Sequence, residues 1–145
     1  MNKLKIHFKI VTPERTVYEN EVDQATLPVS DGEVTILPNH RSYIASLKSG
    51  EIILKVGKEE ISMATAGGFL EFDKNNLIVL ADKAERAEEI DLQRAEEARK
   101  KAEEIKKQKF VDEAEAARIA AAVEKEFARI KVAKKHRSKK GMKID

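Results

Sequence analysis

Cysteine and tryptophan are both absent from this 145-residue chain, and aromatic residues make up only 5% of it. Without cysteine there is no disulfide, no thiolate nucleophile and no cysteine-ligated metal, and a reducing compartment is the compatible default. With 37% of residues charged, the apolar content is spread over many valines, isoleucines, leucines and alanines, and one compact core is the most that this length supports. No apolar run approaches the roughly 20 residues needed to cross a bilayer, so any membrane association is expected to come through a protein partner or surface charge. Residues 1–8 alternate between polar and apolar, without the apolar run behind basic residues that marks a secretory signal.

The charges are nearly balanced overall at +2, but residues 131–145 hold six lysines and one arginine against a single aspartate. That end nets +6 and everything before it nets −4. A basic end attracts an acidic protein surface, nucleic acid or anionic lipid about equally, because the attraction is mainly a matter of charge.

Two periodicities divide the chain. Leu4, Ile6, Phe8 and Ile10 alternate with Lys5, His7 and Lys9, the two-residue period of a half-buried strand over 3–11. Similar segments are expected at about 15–28, 33–37, 42–47, 51–57, 59–65, 67–73 and 76–81. They are separated by turn-forming pairs such as Asp31-Gly32, Pro38-Asn39, Ser49-Gly50 and Gly57-Lys58. Closely spaced strands with no helix between them predict an antiparallel sandwich over residues 1–84.

After Ala84 there is no proline, and no glycine before Gly141. Ala95, Ala98, Ala102 and Ile105 recur at steps of three and four, as do Ala116, Ala120, Val123, Phe127 and Ile130, marking two amphipathic helices. Asp91 is placed to cap the first. Asp112 with Glu115 starts the second in the manner of a capping box, and Lys106 to Phe110 form the connection. The expected class is therefore α+β: an N-terminal antiparallel β-sandwich followed, over 85–145, by a C-terminal α-helical hairpin with a basic tail. Alanine stripes bury little apolar area, so the hairpin is expected to be marginal alone and able to dock, open or extend with its partners.

Catalytic chemistry finds little support. His7, His40 and His136 lie far apart, without the paired spacing of a helical metal site. His7 is expected on the solvent side of its strand, and His136 in the basic tail. Gly67-Gly68-Phe69-Leu70-Glu71 lacks the lysine and hydroxyl residue that end a phosphate-binding loop. Its glycines are expected to allow a bulge or close strand crossing, with Phe69 and Leu70 entering the core. No serine or threonine occupies a nucleophile elbow, and the acids mostly belong to charged helix faces. A hydrolase or isomerase on a sandwich is therefore the least supported class. A non-motor adaptor that binds nucleic acid through Lys134-Lys135-His136-Arg137-Ser138-Lys139-Lys140 is the alternative, although the strands offer no aromatic stacking platform.

Five segments taken together carry a resemblance: Val11-Thr12-Pro13-Glu14, Gly32-Glu33, Ile36-Leu37-Pro38-Asn39-His40, Gly67-Gly68-Phe69-Leu70-Glu71 and Val79-Leu80-Ala81-Asp82. With Ile90-Asp91-Leu92-Gln93-Arg94-Ala95 after them, they resemble the epsilon subunit family of bacterial F-type ATP synthases in order and spacing, over all but about the last dozen residues. The resemblance implies a non-catalytic rotor part of the central stalk. Its sandwich would attach to the gamma subunit and the membrane c-ring, coupling proton translocation to ATP synthesis, and its mobile hairpin would inhibit hydrolysis. It places the protein peripherally on the cytoplasmic face of the bacterial plasma membrane.

By the same resemblance, Glu33 and His40 face the polar loops of the c-ring, with Thr35 and Asn39 standing where many relatives have glycine. Inhibitory contacts with the alpha and beta subunits of the catalytic head would come from Lys125, Arg129, Lys131, Lys134 and Lys135. No cofactor is required. Regulatory ATP on the hairpin would engage Glu85, Ile90, Asp91, Arg94, Ala95, Lys101, Lys125 and Arg129, and the lysines at 101 and 125 replace planar arginines by point charges. Read from the residues alone, Asp91 caps its helix and Arg94 pairs with it.

Overall fold

The structure is a computed structural model that describes residues 4–107 and 112–139. Eight strands come first: β1 (Ile6–Val11), β2 (Thr16–Val22), β3 (Gln24–Val29), β4 (Gly32–Ile36), β5 (Tyr43–Leu47), β6 (Gly50–Val56), β7 (Glu59–Asp73) and β8 (Asn76–Arg86). A single 3-10 turn over Ala87–Glu89 leads to α1 (Leu92–Lys106) and α2 (Glu113–Lys139). This is the expected sandwich followed by two helices. The strand pairs are antiparallel except one, in which β1 lies parallel to β8, placing Phe8 beside Leu77 and Ile10 beside Val79.

Alternation sets the core. Ile6, Phe8 and Ile10 of β1 are buried with Leu27 of β3, Ile52 and Leu54 of β6, Leu70 and Phe72 of β7, and Leu77 and Val79 of β8. Two expected segments divide differently. The stretch expected over 15–28 breaks at Asp23 into β2 and β3. Asp23 turns its carboxylate to the backbone N–H of Gly57 at 2.6 Å and to Lys5 at 3.1 Å, and an acid bonding neighbouring backbone is a typical strand breaker. Conversely, 59–65 and 67–73 fuse into the single strand β7, along which β6 and then β5 pair in one continuous register.

The fusion depends on glycine. Gly67 and Gly68 adopt φ of +78° and +123°, and a Cβ on Gly68 would stand 2.1 Å from the Leu80 carbonyl oxygen of β8. The close strand approach expected at this pair is thus present. Its neighbours divide between the two faces: Leu70 is 1% exposed and Phe69 60% exposed. The expectation that both enter the core fails because adjacent strand residues point to opposite faces.

The helices are capped as expected. The Asp91 carboxylate accepts the Arg94 backbone N–H at 3.2 Å, and that of Asp112 accepts the Glu115 N–H at 2.7 Å. The connection expected over Lys106 to Phe110 lies largely outside the described residues. A second apolar cluster joins the halves. It brings Ala64 of β7, Ala87, Ile90, Leu92 and Ala95 against Ile130, Val132 and Ala133 of α2.

The stripe expected on α2 is corrected accordingly. Of its members only Ile130 is buried, whereas Ala116, Ala120 and Phe127 are exposed and Val123 is half-buried. On α1, Ala95 and Ala102 are buried but Ile105 is exposed. The reason is geometric: the face of α2 that meets the sheet and the 3-10 turn carries Ile130, Val132 and Ala133, so the predicted stripe turns partly to solvent. Phe127 lies beneath the Arg99 guanidinium, 5.3 Å from ring centroid to charge, and stays half open to water.

Gly68→Ala is expected to cost roughly 2–4 kcal/mol of unfolding free energy through the clash and the glycine-only backbone. Gly57 also has positive φ, +63°, but has open space around it, so Gly57→Ala should cost only about 1 kcal/mol. Urea denaturation of the two variants checks the contrast.

Candidate functional site

Glu33 is the second residue of β4, the last strand in the sheet order, opposite Pro28. It is exposed and makes no side-chain hydrogen bond or ion pair among the described residues. His40 lies in the loop after β4, held edge-on to Phe72 at 5.8 Å and to Tyr43 at 5.9 Å. Its Nδ1 donates to the Arg41 carbonyl oxygen at 2.7 Å. Since a carbonyl only accepts, that nitrogen carries a proton and Nε2 is left for a partner.

The loop is braced from the β7–β8 turn. The Asn39 backbone N–H donates to Asn75 Oδ1 at 2.7 Å, and Ser42 Oγ donates to Asp73 at 2.6 Å. Asn39 holds φ +68°, a left-handed conformation that asparagine tolerates better than most side chains, and Thr35 joins Thr26 across the β3–β4 pair at 2.9 Å. Both residues fit without disturbing the loop or the strand. Glu33 and His40 therefore belong to one strand and the loop it feeds, but no direct bond joins them among the described residues.

The outward face of β5, β7 and β8 carries four exposed apolar side chains. Ile44 of β5 pairs with Glu71 of β7, Glu71 with Ile78 of β8, and Phe69 with Leu80. Ile44 is 72% exposed, and Phe69, Ile78 and Leu80 are exposed with it. Four exposed apolar side chains on rigid strands, with the exposed Glu71 set between Ile44 and Ile78, are characteristic of a protein-binding face with a polar element in it. Sequence reasoning missed it. The signal was present in Leu77-Ile78-Val79-Leu80, an unbroken apolar run that alternation must place on both faces of the sheet.

The third locus lies where α2 meets the end of β8. Arg129 Nη2 donates to Glu85 Oε2 at 3.2 Å and Nη1 donates to Glu126 Oε2 at 2.7 Å. Nε stands 2.7 Å from Glu85 Oε1, an ionic contact whose N–H is not aligned as a hydrogen bond. Burial works against the guanidinium charge, but Glu85 and Glu126 outweigh it and hold the pKa above the ordinary value. Glu126 is 4% exposed and also lies 3.4 Å from Lys125. Three of the expected nucleotide residues, Glu85, Lys125 and Arg129, are thereby brought together.

The other five are placed apart from that charge cluster. Ile90 and Ala95 are buried in the joint. Asp91 and Arg94 are exposed at the start of α1, 3.6 Å apart, and Lys101 is exposed further along it. The void beside Glu85, Lys125 and Arg129 measures about 10 Å³, room for one water at most. Of the residues expected to meet the catalytic head, Lys134 pairs with Glu96 at 3.7 Å and Lys135 with Glu51 at 3.1 Å and Glu60 at 3.3 Å. Lys131 is exposed.

His7 sits on the outer side of β1 as expected, with Nε2 2.7 Å from Glu19 and Nδ1 3.0 Å from Glu21 of β2. Hydrogen bonds to Glu21 and Glu19 raise its pKa. Both ring nitrogens face acceptors, which favours the doubly protonated ring and ties β2 to the sheet.

Residues 5–87 match the family described as ATP synthase, Delta/Epsilon chain, beta-sandwich domain. The chain is 46% identical over 137 residues to the ATP synthase epsilon chain of Dehalococcoides mccartyi, covering 94% of this chain and 96% of the relative. It is 40% identical over 124 residues to that of Desulforamulus reducens, covering 86% and 93%. A chain of the Euglena gracilis mitochondrial ATP synthase, solved as OSCP/F1/c-ring, shares the fold with a TM-score of 0.77 at 19% identity, over 90% of this chain and 82% of that one. Nothing in the fold or in these likenesses supports the nucleic-acid alternative.

Protonated His7 stabilises the fold, so its contribution is full below the unfolded histidine pKa of about 6.5 and is lost as pH rises through the higher folded value. His7→Gln should flatten the decline of stability on the alkaline side of pH 6.5, measured by denaturant midpoints across pH. The His7 ring should titrate above an ordinary histidine by NMR.

Proposed function

The chain belongs to the ATP synthase epsilon family, and we propose that its sandwich seats on the rotor shaft through the strip formed by Ile44, Phe69, Ile78 and Leu80, while its hairpin regulates the motor. It is a non-catalytic central-stalk subunit. The exposed apolar strip carries the proposed seating. It is rigid, since the residues between its members, Leu70, Leu77 and Val79, are locked in the core, and a preorganised apolar face loses little entropy on docking. The partner of the strip is the gamma subunit.

Glu33 and His40 are assigned to the polar loops of the c-ring. Exposed loop and edge residues on a braced scaffold often carry recognition, and this pair offers a carboxylate and an imidazole Nε2. We propose further that α2, released from the sheet, presents Lys125, Arg129, Lys131, Lys134 and Lys135 to acidic loops of the alpha and beta subunits and suppresses hydrolysis. No described helix is long and apolar enough to span a membrane. Family membership supports a peripheral place, held through the complex, on the cytoplasmic face of the bacterial plasma membrane.

Regulatory ATP fits the docked hairpin poorly. The cations of that locus are already matched by Glu85 and Glu126, which supports a docked hairpin without nucleotide. The docked hairpin is therefore assigned no ligand.

Phe69→Asp and Leu80→Asp should each weaken binding to an isolated gamma subunit roughly tenfold or more, with thermal unfolding nearly unchanged because both sites are exposed. Unaltered affinity in both variants would remove the strip from the interface. Truncation after residue 88 should raise ATP hydrolysis by the assembled enzyme, and an unchanged rate would remove the inhibitory role. Calorimetry of the full chain with millimolar ATP should show no saturable heat; a saturating isotherm would restore the nucleotide site.

A further inference from the structure

Four of the five basic residues assigned to the extended hairpin are paired with acids in the docked one, and two of them reach across to the sandwich. Arg129 meets Glu85 at the end of β8, and Lys135 meets Glu51 of β6 and Glu60 of β7. On α2 the two cations are six residues apart, less than two turns, with Val132 and Ala133 buried between them. They thus bracket the apolar contact between α2 and the sheet. We propose that Arg129 and Lys135 form a two-point ionic latch that holds the hairpin on the sandwich, and that an acidic protein surface opens it by competing for the same two cations.

The apolar contact itself is small. Ile130, Val132 and Ala133 meet two alanines, Ala64 and Ala87, with Ile90, and alanine adds little buried area. The charges are better placed. The Glu51 side chain is 7% exposed, so a carboxylate nearly removed from water has Lys135 as its cation, and taking that cation away leaves a charge that burial penalises. Lys135 is itself opposed by burial, but Glu51 and then Glu60 more than offset the effect and its pKa is raised. On the other side, Glu126 supports Arg129 from within α2 while Glu85 receives it from β8. The sandwich therefore supplies Glu85, Glu51 and Glu60 as an acidic seat for a basic helix.

Release of α2 frees Arg129 and Lys135 together, so the two postures compete for one set of charges. That second half rests on the regulatory role proposed above; the latch itself does not, and it is tested on the free chain.

Amide hydrogen exchange of the full-length protein reads the docking of residues 128–136 directly. Protection there should fall several-fold between low salt and about 1 M NaCl, where the screening length drops to about 3 Å. It should fall roughly tenfold in Lys135→Met, the pair being partly exposed. The β7 and β8 amides should keep their protection in both cases. The charge swap Glu51→Lys with Lys135→Glu should recover protection that either single change loses. If a change at Glu51 or Lys135 disturbs the sandwich, Glu60→Gln, at a more open carboxylate, should still lower α2 protection measurably. Protection that is insensitive to salt and unchanged in Lys135→Met, or lost in the swap as fully as in the single variants, would overturn the latch. Failure of inhibition in the assembled enzyme with the exchange pattern intact would instead count only against the regulatory role.

Discussion

The joint between α2 and the sheet is the constraint on which the rest depends. Few large side chains meet there, and two isoleucines and a valine pack mostly on alanines. Hydrophobic burial at about 25 cal/mol per Å² holds such a contact only weakly against the entropy of fixing a helix. The proposed regulatory role requires release within a few kcal/mol, the range in which partner binding shifts a two-state equilibrium. In the proposed latch, Arg129 and Lys135 strengthen this contact without making it permanent.

The sandwich is the opposite case. Its core is continuous from β1 to β8, and β7 runs through both of its pairings without interruption because Gly67 and Gly68 let it approach β8 closely. Rigidity there lets the loop of His40 and the strip around Phe69 keep fixed positions relative to each other, as a part that transmits torque requires. The division of labour follows from composition. Branched and aromatic residues fill the strands, and alanine with charge fills the helices.

Much of this was legible in the sequence. Period-two alternation located β1, turn pairs separated most strands, and the loss of glycine and proline after Ala84 announced the helices. Asp91 and Asp112 identified their own caps. What escaped were facts that depend on where an element lies relative to its neighbours. The buried face of α2 is set by contact with β7 and the 3-10 turn, so Val132, Ala133 and Lys135 matter more than the stripe through Ala116 and Ala120. Phe69 looked like a core residue by type, and only pairing with Leu80 on the outward side assigns it to the surface. The motif at Ile90 to Ala95 was visible, and Glu126 sits three residues from Arg129 on one helix, but the matching of Arg129 by Glu85 needed the fold.

The decisive measurement is amide exchange of the full chain, free and then mixed with a gamma subunit, the proposed partner. Added protection is expected in the segments carrying Ile44, Phe69, Ile78 and Leu80, with β2 on the far edge of the sheet unchanged. Protection on β2 instead, or nowhere on β5, β7 and β8, would overturn the proposed seating.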